Sequence, residues 1–134
     1  MKLRADNLMK AYKGRKVVKG ISVEVNQGEI VGLLGPNGAG KSTILHSIYG
    51  FTNIFSGQIE IDGKEITKMT PAQKLKSVGI AYILQDNSVF PDMTVEENLL
   101  MGGYIKDKTE ESYQEAEKIL EKYESLRNRR SQPA

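Results

Sequence analysis

The segment Gly35-Pro-Asn-Gly-Ala-Gly-Lys-Ser42 is the feature that most constrains how this chain folds. It follows a continuous apolar run, Glu29–Leu34, and precedes Lys41–Tyr49, where apolar residues recur at helical spacing. A continuous apolar run is typical of a strand buried on both faces, as in a parallel sheet covered by helices. The order of strand, glycine-rich loop and helix therefore predicts an α/β fold.

The loop itself matches G-x-x-x-x-G-K-[ST], the P-loop signature. Glycines let the backbone curl so that successive N–H groups point inward at a phosphate, which side chains would block. Lys41 supplies a positive charge for the outer phosphates, and Ser42 offers a hydroxyl to Mg²⁺. The helix that begins here adds its N-terminal dipole. The pattern predicts a phosphate-binding loop from Gly35 to Ser42.

Local signals outline the other elements. Strands are predicted at Leu3–Asn7, Val17–Val25 and Ile80–Leu84, a hairpin over Gln58–Thr67, and helices over Lys41–Tyr49, from Thr70-Pro71, from Thr94 and from about Thr109. Asp62-Gly63 provides the hairpin turn, and Gly50 stands where the first helix should end. The tail from Leu126 is polar, so fraying is expected there.

Composition excludes several classes of protein. The chain has 134 residues, enough for one domain, and 19 basic against 17 acidic side chains give a net charge of +2, too small to predict a nucleic-acid partner. It has no Cys and one His, which excludes a disulfide framework and a multi-histidine metal centre. No apolar stretch is long enough to span a bilayer, and the first ten residues do not form a secretory signal. A cytoplasmic protein is expected.

The segment GEIVGLLGPNGAGKST resembles the corresponding segment of the nucleotide-binding subunit of ABC transporters. FSGQIEIDGKEIT resembles the family's hairpin after the first helix, and SVFPDMTVEENLLMG resembles the start of its helical subdomain. The resemblance implies an incomplete P-loop NTPase fold of the ABC type: an antiparallel β flank, the P-loop strand and helix, and the start of the helical subdomain. Residues 1–134 would form one domain, with the ATP-binding core and β flank at about 1–85 and the helical subdomain beginning at about 86–134.

The resemblance also implies ligands and site residues. The cofactors that it implies are ATP and Mg²⁺. Tyr12 would stack on adenine, and Ser42 and Gln85 would contact the metal. The nucleotide contacts would be Tyr12, Gly35, Asn37, Gly38, Ala39, Gly40, Lys41, Ser42 and Thr43. From the residues alone, a packing role is the commoner one for a tyrosine at position 12, and Gln85 is an ordinary loop residue.

Only the N-terminal portion of the family's pattern is recognisable. A Leu-Ser-Gly-Gly signature, a strand that ends in Asp-Glu, and a switch histidine after a strand do not occur in the sequence. No catalytic residue is therefore assigned, and the chain alone is expected to bind Mg-ATP without hydrolysing it. The strands Glu29–Leu34 and Ile80–Leu84 would lack neighbours in the sheet. They would either pair directly or leave apolar area exposed.

Three features of the sequence resemble functional groups, but each is better explained as an ordinary structural residue. Asp86 follows an apolar run, yet Gln85 intervenes, so its side chain is out of register for a Mg²⁺-positioning carboxylate. His46 is expected on the surface of the first helix. The basic tail residues are expected to be solvated charges, and they are Arg127, Arg129 and Arg130.

Partners follow from the resemblance as well. It implies a membrane-spanning transporter subunit, a second nucleotide-binding subunit and a peripheral place on the cytoplasmic face of the membrane. The chain from Phe51 onward resembles ATPases of branched-chain amino-acid importers, whereas Met1–Gly40 is as similar to the lipopolysaccharide-export ATPase.

Two alternative functions stay open: a non-hydrolysing module that docks a partner through the loop after Gln85, and another P-loop enzyme such as a small kinase.

Overall fold

A computed structural model describes residues 1–86 and 88–134, and for residues 12 and 15 it describes the backbone alone. The chain divides into two compact units, Met1–Tyr82 and Ile83–Ala134. The first unit contains the glycine-rich loop. None of the helices in the described ranges is long and apolar enough to cross a membrane.

The first unit is built on an antiparallel sheet of four strands in the order β2-β1-β3-β4. The strands are β1 (Lys2–Tyr12), β2 (Arg15–Asn26), β3 (Ser56–Ile61) and β4 (Lys64–Glu65). The long strands β1 and β2 pair from Lys2 opposite Asn26 to Tyr12 opposite Arg15, with bulges between. The predicted hairpin is confirmed as β3 and β4, and its turn residue Asp62 adopts a positive φ of 48°.

Two helices accompany this sheet, α1 (Lys41–Tyr49) and α2 (Pro71–Val78). The start of each helix and the end of α1 are confirmed: Gly50 ends α1 with φ 101°, and Thr70 with Gln73 forms the capping box of α2. Ile44 and Ile48 of α1 are spaced one turn apart and are buried against the sheet. The core of the unit consists of Ala5, Leu8, Val18, Ile44, Ile48, Ile59, Ile61 and Ile66.

The prediction of two buried strands at Glu29–Leu34 and Ile80–Leu84 is wrong for this structure. Neither segment is a strand, and neither joins the sheet that the described residues form. Ile30 is 98% exposed and Leu34 is 96% exposed, so the apolar area is left open to solvent. A strand depends on a neighbour for its backbone hydrogen bonds, and no described segment supplies a parallel neighbour here.

The described residues of the second unit form three helices, α3 (Val95–Gly102), α4 (Thr109–Lys122) and α5 (Glu124–Arg127). The predicted starts of α3 and α4 are confirmed, and Thr94 with Glu97 caps α3 in a second capping box. Val95, Ala116 and Leu120 are the buried hydrophobic residues of this unit.

The expectation of a frayed tail is wrong. The backbone amides of Val95 and Glu96 donate to the carbonyls of Gln132 and Arg130, so the tail satisfies two of the first amides of α3. The guanidinium of Arg130 also pairs with the carboxylates of Glu96 and Glu117, each at 2.5 Å. The carbonyls of Arg130 and Gln132 and the guanidinium of Arg130 thus hold the tail against α3 and α4.

Candidate functional site

The glycine-rich loop enters α1 through Gly40, which lies closely packed against β2. Gly40 has φ 96°, a left-handed conformation that L side chains rarely adopt. A Cβ at this position would lie 3.1 Å from the carbonyl oxygen of Val17. Glycine is therefore required here twice, by the backbone angle and by the close approach to β2.

Lys41, the first residue of α1, turns its side chain back over the loop. Its ammonium donates to the carbonyl oxygens of Gly35 at 2.8 Å and Pro36 at 2.9 Å. The amide of Ala39 donates to the same Pro36 carbonyl at 3.2 Å, which closes a tight turn inside the loop. A positive charge is thus held at the N-terminal end of a helix, where the helix dipole also favours an anion.

The remaining loop residues differ in accessibility. Gly35, Asn37, Gly38, Ala39 and Ser42 are exposed, and Thr43 is half-buried. Gly40 has no side chain, so no side-chain oxygen caps the first amides of α1. The loop therefore presents backbone donors, one cation and the exposed Ser42 residue in one place, which is the chemistry that a phosphate requires.

A cavity of about 820 Å³ opens beside the loop within the first unit. Its walls come from β2, the apolar segment before the loop, the loop and α1. They are formed by Lys16, Val17, Val18, Lys19, Ile21, Leu33, Leu34, Gly38, Ala39, Lys41 and Ile44. The cavity combines apolar walls with three ammonium groups, a composition suited to an anionic ligand that has an apolar part.

For two of the predicted site residues the structure does not test a position at the loop. The side chain of Tyr12 lies outside the described residues, although its backbone forms the end of β1 next to the turn into β2. Gln85 belongs to the second unit and is exposed. The structure therefore brings together the loop residues from 35 to 43. The roles of Tyr12 at adenine and of Gln85 at Mg²⁺ remain predictions.

His46 does not lie free on the helix surface as expected. Its ring is half-buried and packs against Phe51 and Tyr82, with ring centroids 5.7 and 5.5 Å apart. Tyr49 completes this aromatic cluster at the C-terminal end of α1. Phe51 and Tyr82 lie beyond the end of α1, five and 36 residues after His46, so helix periodicity alone could not indicate the cluster.

Sequence reasoning missed Lys74, the one charged side chain that is completely buried among the described residues. Its ammonium donates to the carbonyl oxygen of Ile48 at 2.6 Å, and burial lowers its pKa below the ordinary value of 10.5. A signal was present: Pro71, Lys74 and Val78 follow helical spacing, which places Lys74 on the apolar face of α2.

Comparison with known proteins places the chain in a family. The sequence profile of the ABC transporter family matches residues 18–133. A probable ABC transporter ATP-binding protein of Azorhizobium caulinodans is 40% identical over 96% of the chain and 46% of its own length. The lipopolysaccharide export system ATP-binding protein LptB of Haemophilus influenzae is 44% identical over 90% of the chain and 51% of its own length.

Solved structures agree with this assignment. A nucleotide-free ATP-binding cassette from an ABC transporter superimposes with a TM-score of 0.84 at 33% identity, over 100% of the chain and 58% of that protein. An ATP-binding cassette in its ADP conformation gives a TM-score of 0.85 with the same identity and coverage. The chain spans about half the length of the curated relatives reported above. It belongs to the family of ATP-binding domains of ABC transporters.

Proposed function

We propose that the loop from Gly35 to Thr43 binds the phosphates of Mg-ATP in a protein that couples ATP hydrolysis to membrane transport. The observation that carries this proposal is the position of Lys41, whose ammonium lies over the loop carbonyls at the N-terminus of α1. A cation, a glycine-lined backbone and a helix N-terminus in one place suit a polyphosphate and would repel a cationic ligand. The related cassette described in its ADP conformation supports a nucleotide as the ligand.

Several residues have a specific role in this proposal. The backbone amides of Gly38, Gly40, Lys41 and Ser42 would contact phosphate oxygens, and the ammonium of Lys41 would neutralise the outer phosphates. The hydroxyl of Ser42 would hold Mg²⁺, and Gln85 would approach the same ion. Mg²⁺ fits such a site because it prefers oxygen ligands, retains several waters and is usually shared with substrate phosphates.

We propose the cavity beside the loop for the nucleoside, with the ring of Tyr12 stacked on adenine. Val17, Val18 and Leu33 offer apolar walls for a ribose or a base. In its favour, β1 ends at Tyr12 and β2 carries Val17 and Val18 back toward the loop, where Gly40 packs on Val17.

The partners proposed for the whole protein are a membrane-spanning subunit and a second nucleotide-binding subunit, on the cytoplasmic face of the membrane. The support is the family, since relatives include both LptB and a probable branched-chain amino acid transport ATP-binding protein LivF of Archaeoglobus fulgidus, 41% identical over 81% of the chain and 45% of its own length. Because these two names describe different cargoes, the proposal specifies transport and not its substrate.

Displacement of a fluorescent ATP analogue tests the proposal. We expect ATP to displace the probe with higher affinity in the presence of Mg²⁺ than in EDTA, and inorganic triphosphate to displace it more weakly. Tyr12→Ala should weaken ATP by about 1–3 kcal/mol, the range of base–aromatic stacking, and leave triphosphate unchanged. If ATP fails to displace the probe, the nucleotide site is refuted. If Tyr12→Ala weakens both ligands equally, the adenine role of Tyr12 is refuted.

A further inference from the structure

Lys74 of α2 reaches the end of α1 that is opposite the phosphate loop. Its side chain is 0% exposed, and its ammonium lies 2.6 Å from the carbonyl oxygen of Ile48. Ile48 is the penultimate residue of α1, whose first residue is Lys41. One short helix thus has a lysine ammonium at each end, one over the loop and one on its last turn.

The carbonyl of Ile48 needs an outside partner. The last four carbonyls of a helix lack amides of the same helix as donors. In this chain the amides of Gly50, Phe51 and Thr52 all donate to the carbonyl of His46, at 2.9, 2.9 and 3.4 Å. The residue four positions after Ile48 is Thr52, so the amide that would continue the helical pattern is directed elsewhere. The ammonium of Lys74 takes its place.

Gly50 allows the backbone just before α2 to come close to the end of α1. A Cβ on Gly50 would lie 3.2 Å from the carbonyl oxygen of Met69 and 3.5 Å from the ammonium of Lys74. Gly50 also has φ 101°, in the left-handed region that favours glycine. The end of α1 and the start of α2 therefore pack together without an intervening side chain.

The end of α1 is electrostatically suited to the ammonium of Lys74. A buried ammonium is costly, which is why burial lowers the pKa of Lys74. The C-terminal end of a helix carries partial negative charge, so it is the part of a helix that best stabilises a cation. An exposed lysine could make a similar bond at lower cost, whereas this buried bond joins α2 to the last turn of α1.

We propose that Lys74 is a positioning residue for the phosphate site and acts through α1. The helix spans about 12 Å from Lys41 to Tyr49, at 1.5 Å per residue, and it behaves as one rigid element over that length. Gly40 packed on Val17 fixes its first turn, and Lys74 bonded to Ile48 fixes its last turn. Loss of the second contact lets α1 tilt, which displaces the backbone donors of the loop. This inference rests on the proposed binding of ATP phosphates at the loop.

Four variants separate positioning from bulk stability. Lys74→Met removes the donor and keeps the length of the side chain, while Lys74→Gln supplies a neutral donor. Lys41→Ala reports on the loop itself. Lys76→Met changes a lysine of the same helix that is not buried and serves as the control. Affinity for Mg-ATP is measured by titration on protein that circular dichroism shows to be folded.

We expect Lys74→Met to weaken Mg-ATP about three- to tenfold, Lys74→Gln to recover part of the loss, and Lys76→Met to bind as the wild type does. A structural role alone would lower the melting temperature and leave the affinity of the folded protein unchanged, and that result would overturn the inference. If the wild type does not bind, or if Lys41→Ala binds equally well, the proposed function fails instead.

A measurement on the wild type covers the case in which Lys74→Met does not fold. Coupling between two sites is reciprocal, so a ligand at the loop must stabilise the far end of α1. We expect Mg-ATP to slow hydrogen exchange at the amides of Gly50, Phe51 and Thr52 as well as in the loop. Protection confined to the loop, with unchanged exchange at these three amides, would refute the positioning role.

Discussion

The ammonium nitrogen of Lys41 lies 2.8 Å from the carbonyl oxygen of Gly35, six residues earlier in the chain. With the second bond to Pro36, this contact holds the cation over the loop and fixes its distance from the N-terminus of α1. An ammonium has three N–H donors, so these two bonds leave it able to donate to an entering phosphate oxygen as well. The loop therefore holds its principal charge in place before a ligand arrives, which lowers the entropic cost of binding.

Gly40→Ala should destabilise the first unit and distort the loop. A left-handed φ costs an L residue about 1–2 kcal/mol, and the new Cβ would also press against the carbonyl of Val17 at 3.1 Å. Urea unfolding followed by circular dichroism measures the loss. Gly63→Ala is the matched control, because Gly63 has φ 77° with nothing within 4 Å of its Cβ position.

The control carries the backbone strain without the contact, so the difference between the two variants reports the close approach to β2. We expect Gly40→Ala to lose more stability than Gly63→Ala. Equal losses would mean that α1 and β2 separate freely at Gly40, contrary to the packing described above.

The pairing of Arg130 with Glu96 should make the second unit sensitive to acid. The hydrogen bond from Arg130 lowers the pKa of Glu96 below its ordinary value of 4.5. A carboxyl with a lowered pKa in the folded state contributes stability that is complete above about 4.5 and is lost as the pH falls through the lowered value. Arg130→Met should therefore be less stable than the wild type at pH 7, and the difference should shrink toward pH 3.

Thermal unfolding at a series of pH values checks this prediction, with Arg127→Met as the control for loss of a nearby positive charge. We expect the control to follow the wild type at every pH. A constant difference between Arg130→Met and the wild type from pH 7 to pH 3 would show that the ion pair does not contribute through the charge of Glu96.

The exposed segment before the loop should cause self-association of this 134-residue polypeptide. Ile30 and Leu34 are 98% and 96% exposed, and their backbone joins no sheet among the described residues. Unpaired apolar backbone is prone to pair with another chain. The double variant Ile30→Ser, Leu34→Ser should shift sedimentation at high concentration toward the monomer. Tyr104→Ser, which removes an exposed aromatic ring elsewhere in the chain, should not. A wild type that stays monomeric would contradict this expectation.

Features that depend on neighbours in sequence could be predicted from the sequence. The capping residues Thr70 and Thr94 satisfy amides within three residues, so their patterns identify helix starts without tertiary information. The loop motif is equally local, and its residues occupy one place in the structure as the spacing requires. The family resemblance adds the antiparallel flank, which local patterns alone describe only as separate strands.

Features that depend on distant partners could not be predicted in this way. The run Glu29–Leu34 has the composition of a buried strand, but composition cannot reveal whether a neighbouring strand is present to pair with it. The partners of Lys74 and Arg130 lie 26 and 34 residues away, at Ile48 and Glu96. Polar residues with such partners look like surface residues in a sequence, so local patterns predict a frayed tail and do not indicate the bond from Lys74 to Ile48.

Isothermal titration of Mg-ATP into the wild type and Lys41→Ala tests the central claim most directly, with Lys64→Ala, at the exposed end of β4, as the control for loss of one positive charge. A charge-assisted hydrogen bond contributes about 1.5–3 kcal/mol, so Lys41→Ala should weaken binding roughly ten- to a hundredfold while Lys64→Ala binds as the wild type does. Equal affinities for the wild type and Lys41→Ala would contradict the assignment of the loop as the phosphate site.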